Sequence, residues 1–252
     1  MKKLSFLIAG VQKGGTTALW HFLSQHPQIY LSLHKELHFF DFERFDWESP
    51  PYEILHAEFA EASSRALWGE ATPIYTFWPP SLARIASYNP DIKLIVVLRN
   101  PTERAYSQWG MARARGYETL PFGLAIREGR ARVDLCNLSR DLRRFSAVER
   151  GLYSGQVRRI MSLFPREQVL FLSNEDLRRR HFEVLNRTCS FLGVAPFSTP
   201  PAAEDVQPYR KSWHPPPMDD ADRRYLDDLF SNDLAETEQL TGLSLGRTQS
   251  NA

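Results

Sequence analysis

Four short stretches of this chain are apolar almost throughout: LSFLIAG at 4–10, ALWGEA at 66–71, KLIVVLR at 93–99 and QVLFLS at 168–173. Apolar runs without alternation mark strands buried on both faces, as in a parallel sheet. Between them, apolar residues recur at helical spacing and predict helices over 17–25, 80–88, 102–115, 154–164 and 181–192. Strands alternating with helices predict an α/β fold: a single three-layer domain with a central, mainly parallel sheet and helices on both faces. The expected domain runs over 1–245, with 246–252 as a loose tail. The segment 117–150 is charge-rich and weakly periodic, and predicts a helical excursion or a mobile flap. Pro215, Pro216 and Pro217 stop any helix, after which Asp219 or Asp220 is placed to cap a final one.

Composition narrows the picture. The chain has 252 residues, 42% of them hydrophobic and 24% charged, which is ordinary for a globular protein with a sizeable core. The net charge of +1 provides no broad basic field. No nucleic-acid partner is therefore expected, and any anion recognition must be local. The arginines at 178–180 read as a solvated helix face. Cys136 and Cys189 are the only cysteines, and are expected as free thiols in a reducing compartment. The opening MKKLSFLIAG imitates a secretory leader, but its apolar run is short and no cleavage pattern follows. No window reaches the roughly 20 apolar residues of a membrane span. The expectation is a cytoplasmic protein without a membrane partner, with a homodimer left open. No Cys/His spacing fits zinc, and no metal requirement is expected.

Chemistry is most visible in AGVQKGGTTALW, which begins at Ala9. A strand, a glycine-rich turn and a helix bring backbone N–H groups and a helix N-terminus to one point, which is an anion site by geometry. Lys13 adds a charge from within the loop, and Thr16 and Thr17 add hydroxyls. The nucleotide-triphosphate loop G-x-x-x-x-G-K-[ST] would place lysine where Thr16 stands. A metal-bound triphosphate therefore fits poorly. A phosphate joined to some other transferring group fits better.

GVQKGGTTAL resembles the 5′-phosphosulfate loop of sulfotransferases that use 3′-phosphoadenosine 5′-phosphosulfate (PAPS). The style is that of the heparan-sulfate-type and related bacterial enzymes, which read K-x-G-T-T-x-L. Further segments are similar in the same order. HKELHFFD at 34–41 resembles K-E-x-H-F-F-D, and LIVVLRNPTERAYSQW at 94–109 resembles the 3′-phosphate motif L-R-[ND]-P-x-x-R-x-x-S. The stretch from Arg150 to Arg180, with FLGV after it, and YRKSWHPPPMD also match, so the likeness covers roughly 4–240. It implies a P-loop-like fold, PAPS as donor and adenosine 3′,5′-bisphosphate (PAP) as product.

The resemblance also implies roles. Lys13, Gly14, Gly15, Thr16, Thr17 and Ala18 would grip the phosphosulfate, with Lys13 relieving charge on the leaving oxygen. Glu36 would be the general base, His38 would orient the acceptor or share its proton, and Asp41 would hold a neighbour in place. Glu36 and His38, two apart, share a face only on a strand or extended turn. Arg99 and Ser107 would take the 3′-phosphate, the first at a strand end and the second about two turns into a helix. Arg104 reads as structural. Tyr209, Arg210 and Lys211 fall in the loop that closes over the nucleotide, without the glycine common there. GEATPIYTF at 69–77 has Ala71 where the glycan-directed enzymes commonly carry lysine, which argues against a heparan-like acceptor.

The expected activity is sulfuryl transfer from PAPS to a hydroxyl, less readily an amine, of a small metabolite or carbohydrate. A tailoring step in secondary metabolism suits a chain with so little net charge. Trp47, Tyr52, Trp109 and Tyr117 are candidates for the acceptor pocket and equally for core packing. Two rivals remain: a P-loop small-molecule kinase, and a PAPS-binding protein without catalysis.

Overall fold

The computed structural model describes residues 2–63, 66–202 and 215–246. Five strands form one parallel sheet: β1 (Phe6–Gly10), β2 (Ile29–Leu31), β3 (Leu67–Ala71), β4 (Lys93–Leu98) and β5 (Val169–Ser173). Their order is β2-β3-β1-β4-β5. The central β1 pairs Ile8 with Ala71 on one side and with Ile95 on the other. The helices in chain order are α1 (Thr16–Ser24), α2 (Tyr52–Ala57), α3 (Ser81–Tyr88), α4 (Pro101–Ala114), α5 (Phe122–Ala125), α6 (Arg140–Phe145), α7 (Ser154–Leu163), α8 (Asn174–Arg179), α9 (His181–Leu192) and α10 (Asp220–Thr241).

Packing divides the chain into two compact units. The first, Met1–Leu98 with Arg158–Glu204, carries the sheet; the second is Arg99–Val157 with Asp205–Ala252. In the first unit, Phe6, Ile8, Ile95, Val97, Leu170 and Leu172 pack against α1, α8 and α9 through Leu19, Leu23, Leu177, Val184 and Leu185. The alternate residues Leu7, Ala9, Leu94 and Val96 are just as buried. Both faces of the sheet are therefore covered, which is why these strands read as continuous apolar runs. On α3, Leu82, Ile85 and Tyr88 are buried, and the Tyr88 hydroxyl accepts from Leu4 N at 2.9 Å.

Four strands and five helices fall where the apolar pattern puts them, with ends shifted by a residue or two. β2 was not legible. It is three residues long, and pairing with β3, Ile29↔Leu67 through Leu31↔Gly69, defines it. Within the leader-like opening, Phe6–Gly10 form β1, all five residues buried. No helix among the described residues is long and apolar enough to cross a membrane.

In the second unit, α4 begins with Asn100 accepting from Glu103 N at 3.1 Å and Pro101 in the first helical position. Asp219 caps α10 through Ala221 N at 2.7 Å, the choice left open between two aspartates. The core of this unit is Ala105, Trp109, Phe122, Ile126, Val148, Leu226 and Phe230. The segment 117–150 is helical in pieces, α5, α6 and two 3₁₀ turns. Ion pairs join its pieces to one another, Arg130–Glu149 at 2.8 Å and Arg132–Glu118 at 2.7 Å. Arg104 is fully buried and bonds Gln108 and the Ala147 carbonyl. Both cysteines are free, Cys136 exposed and Cys189 buried. The tail 247–252 lies outside the described residues.

Candidate active site

Parallel α/β sheets offer a ligand site beyond the carboxyl ends of strands where strand order reverses. Here that point is β1, from which the chain departs to β2 and later returns to β4 on the other side. The loop after β1 turns back at once, with Val11 N on Val97 O at 3.1 Å and Gly14 N on Val11 O at 2.8 Å. A Cβ on Gly14 would lie 2.2 Å from Val97 O, so no side chain is possible there. Gly15, at φ 104°, caps α1 without contributing a side chain, so no side chain fills the helix's N-terminal end. Asn174 Nδ2 donates to Gly14 O at 2.8 Å and braces the loop from β5's end. Lys13, half-buried, takes φ 67°. Thr16 is buried, and Thr17 and Ala18 are half-buried in the first turn of α1. The cleared cradle, the helix end and one cation fit a phosphosulfate.

The turn at 34–41 lies at the same end of the sheet, on the neighbouring strand. Glu36 N donates to Ala71 O at 3.0 Å, Leu37 N to Glu70 Oε1 at 3.3 Å and His38 N to Thr72 Oγ1 at 3.3 Å. Glu36 and His38 take φ 63° and 56°. The stretch is thus neither strand nor extended turn, yet the two side chains still meet, His38 Nε2 lying 3.9 Å from Glu36 Oε2. The other ring nitrogen of His38, Nδ1, is 3.0 Å from Asp41 Oδ2, and Asp41 is fully buried. Lys35 Nζ contacts Glu36 Oε1 at 2.6 Å.

Glu70 and Thr72 had no role in the sequence reading. The signal was present: a carboxylate inside a strand buried on both faces. Glu70 is fully buried, and its Oε2 has no hydrogen-bond partner among the described residues. Burial pushes its carboxyl up to about 7, against the bonds from Thr72 and Leu37, and the nearby Asp41 charge adds to the rise.

Trp47 and Tyr52 belong to an aromatic cluster. The ring of Trp47 stacks on Phe40 at 6.4 Å under the Arg84 guanidinium, and Tyr52 lies 5.8 Å from Phe39 and 4.9 Å from Tyr88. In the second unit, Arg99 precedes the cap of α4, with its guanidinium 4.0 Å from Glu103 and its carbonyl accepting from Tyr153 Oη at 3.0 Å. Ser107 is buried in the second turn of α4. Trp109 is buried in that unit's core and donates to Leu120 O at 3.0 Å. Tyr117 is exposed, with Arg144 4.6 Å over its ring. Tyr209, Arg210 and Lys211 lie outside the described residues. Among the described residues no acidic, histidine or cysteine group is arranged to hold a metal ion.

Residues 4–220 match the family model described as the sulfotransferase domain. The chain belongs to the sulfotransferase family. It is similar to human heparan sulfate glucosamine 3-O-sulfotransferase 6, 36% identical over 193 residues that cover 75% of this chain and 52% of that protein. A mouse bifunctional heparan sulfate N-deacetylase/N-sulfotransferase 4 is 27% identical over 275 residues, 93% of this chain and 29% of its own length. The chain spans about half the length of the curated 3-O-sulfotransferase relative it matches, 52%. A crystal structure of a sulfotransferase from Alicyclobacillus acidocaldarius superposes with a TM-score of 0.79 at 32% identity, covering 97% of this chain and 98% of that one.

Proposed function

We propose that this sulfotransferase-family chain transfers the sulfuryl group of PAPS to a hydroxyl, less readily an amine, of a small metabolite or carbohydrate. The observation that carries this reading is backbone conformation. Among the described residues, the non-glycine residues in the left-handed region are Lys13, Glu36 and His38. Each such residue costs about 1–3 kcal/mol and persists only where its surroundings enforce it. These are the three residues that the motif likeness assigns to catalysis.

PAPS, when bound, supplies an activated sulfuryl group and takes back negative charge on its bridging oxygen. Gly14, Gly15, Thr16, Thr17 and Ala18 hold its 5′ end through backbone N–H groups and hydroxyls. Lys13 offsets the charge that develops there. Glu36 accepts the acceptor's proton through Oε2, the oxygen not engaged by Lys35. Asp41 fixes His38 by taking Nδ1–H, which leaves the lone pair of Nε2 toward Glu36 to share the acceptor's proton. In the second unit, Arg99 and Ser107 are the pair assigned to the 3′-phosphate. Tyr209, Arg210 and Lys211 are assigned to closure over the nucleotide, and no metal takes part.

The acceptor is neutral or cationic rather than a sulfated polyanion. Ala71 replaces the lysine of the glycan-directed enzymes. Residues 41–61, which continue from the candidate base, carry seven acidic residues against Arg44 alone. Trp47 and Tyr52 in the first unit and Tyr117 in the second stay as acceptor-pocket candidates, whereas Trp109 packs in the core of the second unit. The chain acts as one sulfotransferase domain over 1–245 in the cytoplasm, as monomer or homodimer, in secondary metabolism.

Calorimetry with PAP, without Mg²⁺, tests the donor assignment in wild type, Lys13→Ala and Arg99→Ala. Micromolar binding that collapses in both variants is expected. Binding of ATP with Mg²⁺ and none of PAP would overturn the reading.

A further inference from the structure

The turn that presents Glu36 and His38 is held by the end of β3, and one buried carboxyl does most of the holding. Glu70 Oε1 takes the Leu37 amide directly at 3.3 Å. Thr72 Oγ1 takes the His38 amide at 3.3 Å and in turn donates to Glu70 Oε1. One oxygen atom therefore stands behind two consecutive amides, and these lie between and at the left-handed residues Glu36 and His38.

A carboxyl is a costly group to place here. Glu70 is fully buried, its neighbours in β3 are Gly69 and Ala71, and Oε2 is without a hydrogen-bond partner among the described residues. A buried polar atom left unpaired destabilises a fold, and an apolar side chain would avoid that cost. The third amide of the turn, Glu36 N, is met by the Ala71 carbonyl. That acceptor is a backbone carbonyl, which every residue at 71 would supply. The other two need Glu70 and Thr72 by side chain.

We propose that Glu70 is a positioning residue for the transfer, its Oε1 clamping Leu37 N and, through Thr72, His38 N, so that Glu36 and His38 keep the conformation that presents them together. The clamp rests on the reading of Glu36 as base. Glutamine keeps an Oε1 acceptor at this position, whereas alanine removes it.

Amide hydrogen exchange of the full chain tests the clamp directly, without an acceptor. In Glu70→Ala the Leu37 and His38 amides should exchange about tenfold faster, the factor expected for one lost hydrogen bond. Amides of β1 and β4 should hold to within about twofold, and Glu70→Gln should track wild type. PAP affinity should stay within about twofold in both variants, while conversion of PAPS to PAP with water as acceptor falls roughly 30-fold in Glu70→Ala through kcat alone. If Glu70→Ala does not fold, Thr72→Val removes one arm, and only the His38 amide should speed up. Unchanged exchange at 37 and 38 in Glu70→Ala, or in its place at 38 in Thr72→Val, overturns the clamp. So does full PAPS turnover in Glu70→Ala. Glu36→Gln separates the two readings: if it turns over like wild type, the base assignment fails while the exchange result still decides the clamp. A dead Glu36→Gln beside an active, protected Glu70→Ala sinks the clamp alone.

Discussion

The loop after β1 and the turn at 34–41 both carry backbone in the left-handed region, and they hold it differently. In the loop, glycine removes the obstacle. Gly15 adopts φ 104° at little cost, and Gly14 clears the space beside Val97 O that any Cβ would fill. The turn has no glycine between His34 and Asp41. Its left-handed residues, Glu36 and His38, are held against their own preference by bonds from the end of β3. Lys13 stands between the two cases, a left-handed lysine followed by the glycines that shape its loop. A phosphate needs bare backbone, whereas a base and its partner need side chains. On the proposed function, the two regions differ in how they reach their shape because they differ in what they must present.

Replacing Gly14 should do the most damage. Gly14→Ala would drive a methyl group into Val97 O, at 2.2 Å before relaxation. PAP affinity should fall by more than about 100-fold, or about 2.7 kcal/mol. Calorimetry checks this, and near-wild-type affinity would show that the loop can reshape as the turn cannot. In the turn, Glu36→Gln should leave PAP binding within about twofold and lower PAPS turnover by roughly 10²–10⁴, the usual range for a general base. Equal losses of binding and turnover would make Glu36 part of the donor cradle instead.

The third test concerns what holds the turn. Burial raises the Glu70 carboxyl from 4.5 to about 7, so the folded state binds the proton that the unfolded chain has already released. The stability this group permits is full below pH 4.5 and is lost as pH rises to about 7, a change on the order of 3 kcal/mol at about 1.4 kcal/mol per unit. Urea unfolding from pH 4.5 to 8 should show that decline in wild type and lose it in Glu70→Gln. The smallest effect on stability is expected from Glu36→Gly, which relieves a left-handed residue whose side chain is 40% exposed. Stability should hold or rise by up to about 1 kcal/mol while turnover disappears. A fall in the midpoint of thermal unfolding would mean that the Lys35–Glu36 pair contributes more than the strain costs.

Legibility followed the same division. The long apolar runs and helical spacings gave four strands and five helices, because burial on both faces leaves a continuous signal in the chain. The start of the final helix could be read at Asp219 or Asp220 because capping is local chemistry. β2 could not, since three residues become a strand only when Leu67 and Gly69 lie beside them. The cap of α7 was equally invisible. Asp233, about eighty residues away in α10, accepts from Tyr153 N at 2.6 Å and from the Ser154 hydroxyl at 2.7 Å. Trp109 and Trp47 read alike as aromatics near motifs, yet one is buried in a helical core and the other stacks under Arg84 at a cluster's edge.

The sequence by itself determined the α/β alternation, the glycine loop with its lysine, and the family likeness that singled out Glu36, His38 and Arg99. All of these rest on near neighbours in the chain or on motifs of fixed spacing. The tertiary structure alone decided that Glu36 and His38 meet through left-handed backbone, that the neighbour Asp41 contacts is the His38 imidazole, and that Glu70 and Thr72 stand behind the turn. The physical reason is distance along the chain: the amides at 36–38 find their acceptors more than thirty residues on, at 70–72, and only the parallel sheet brings the end of β3 to them.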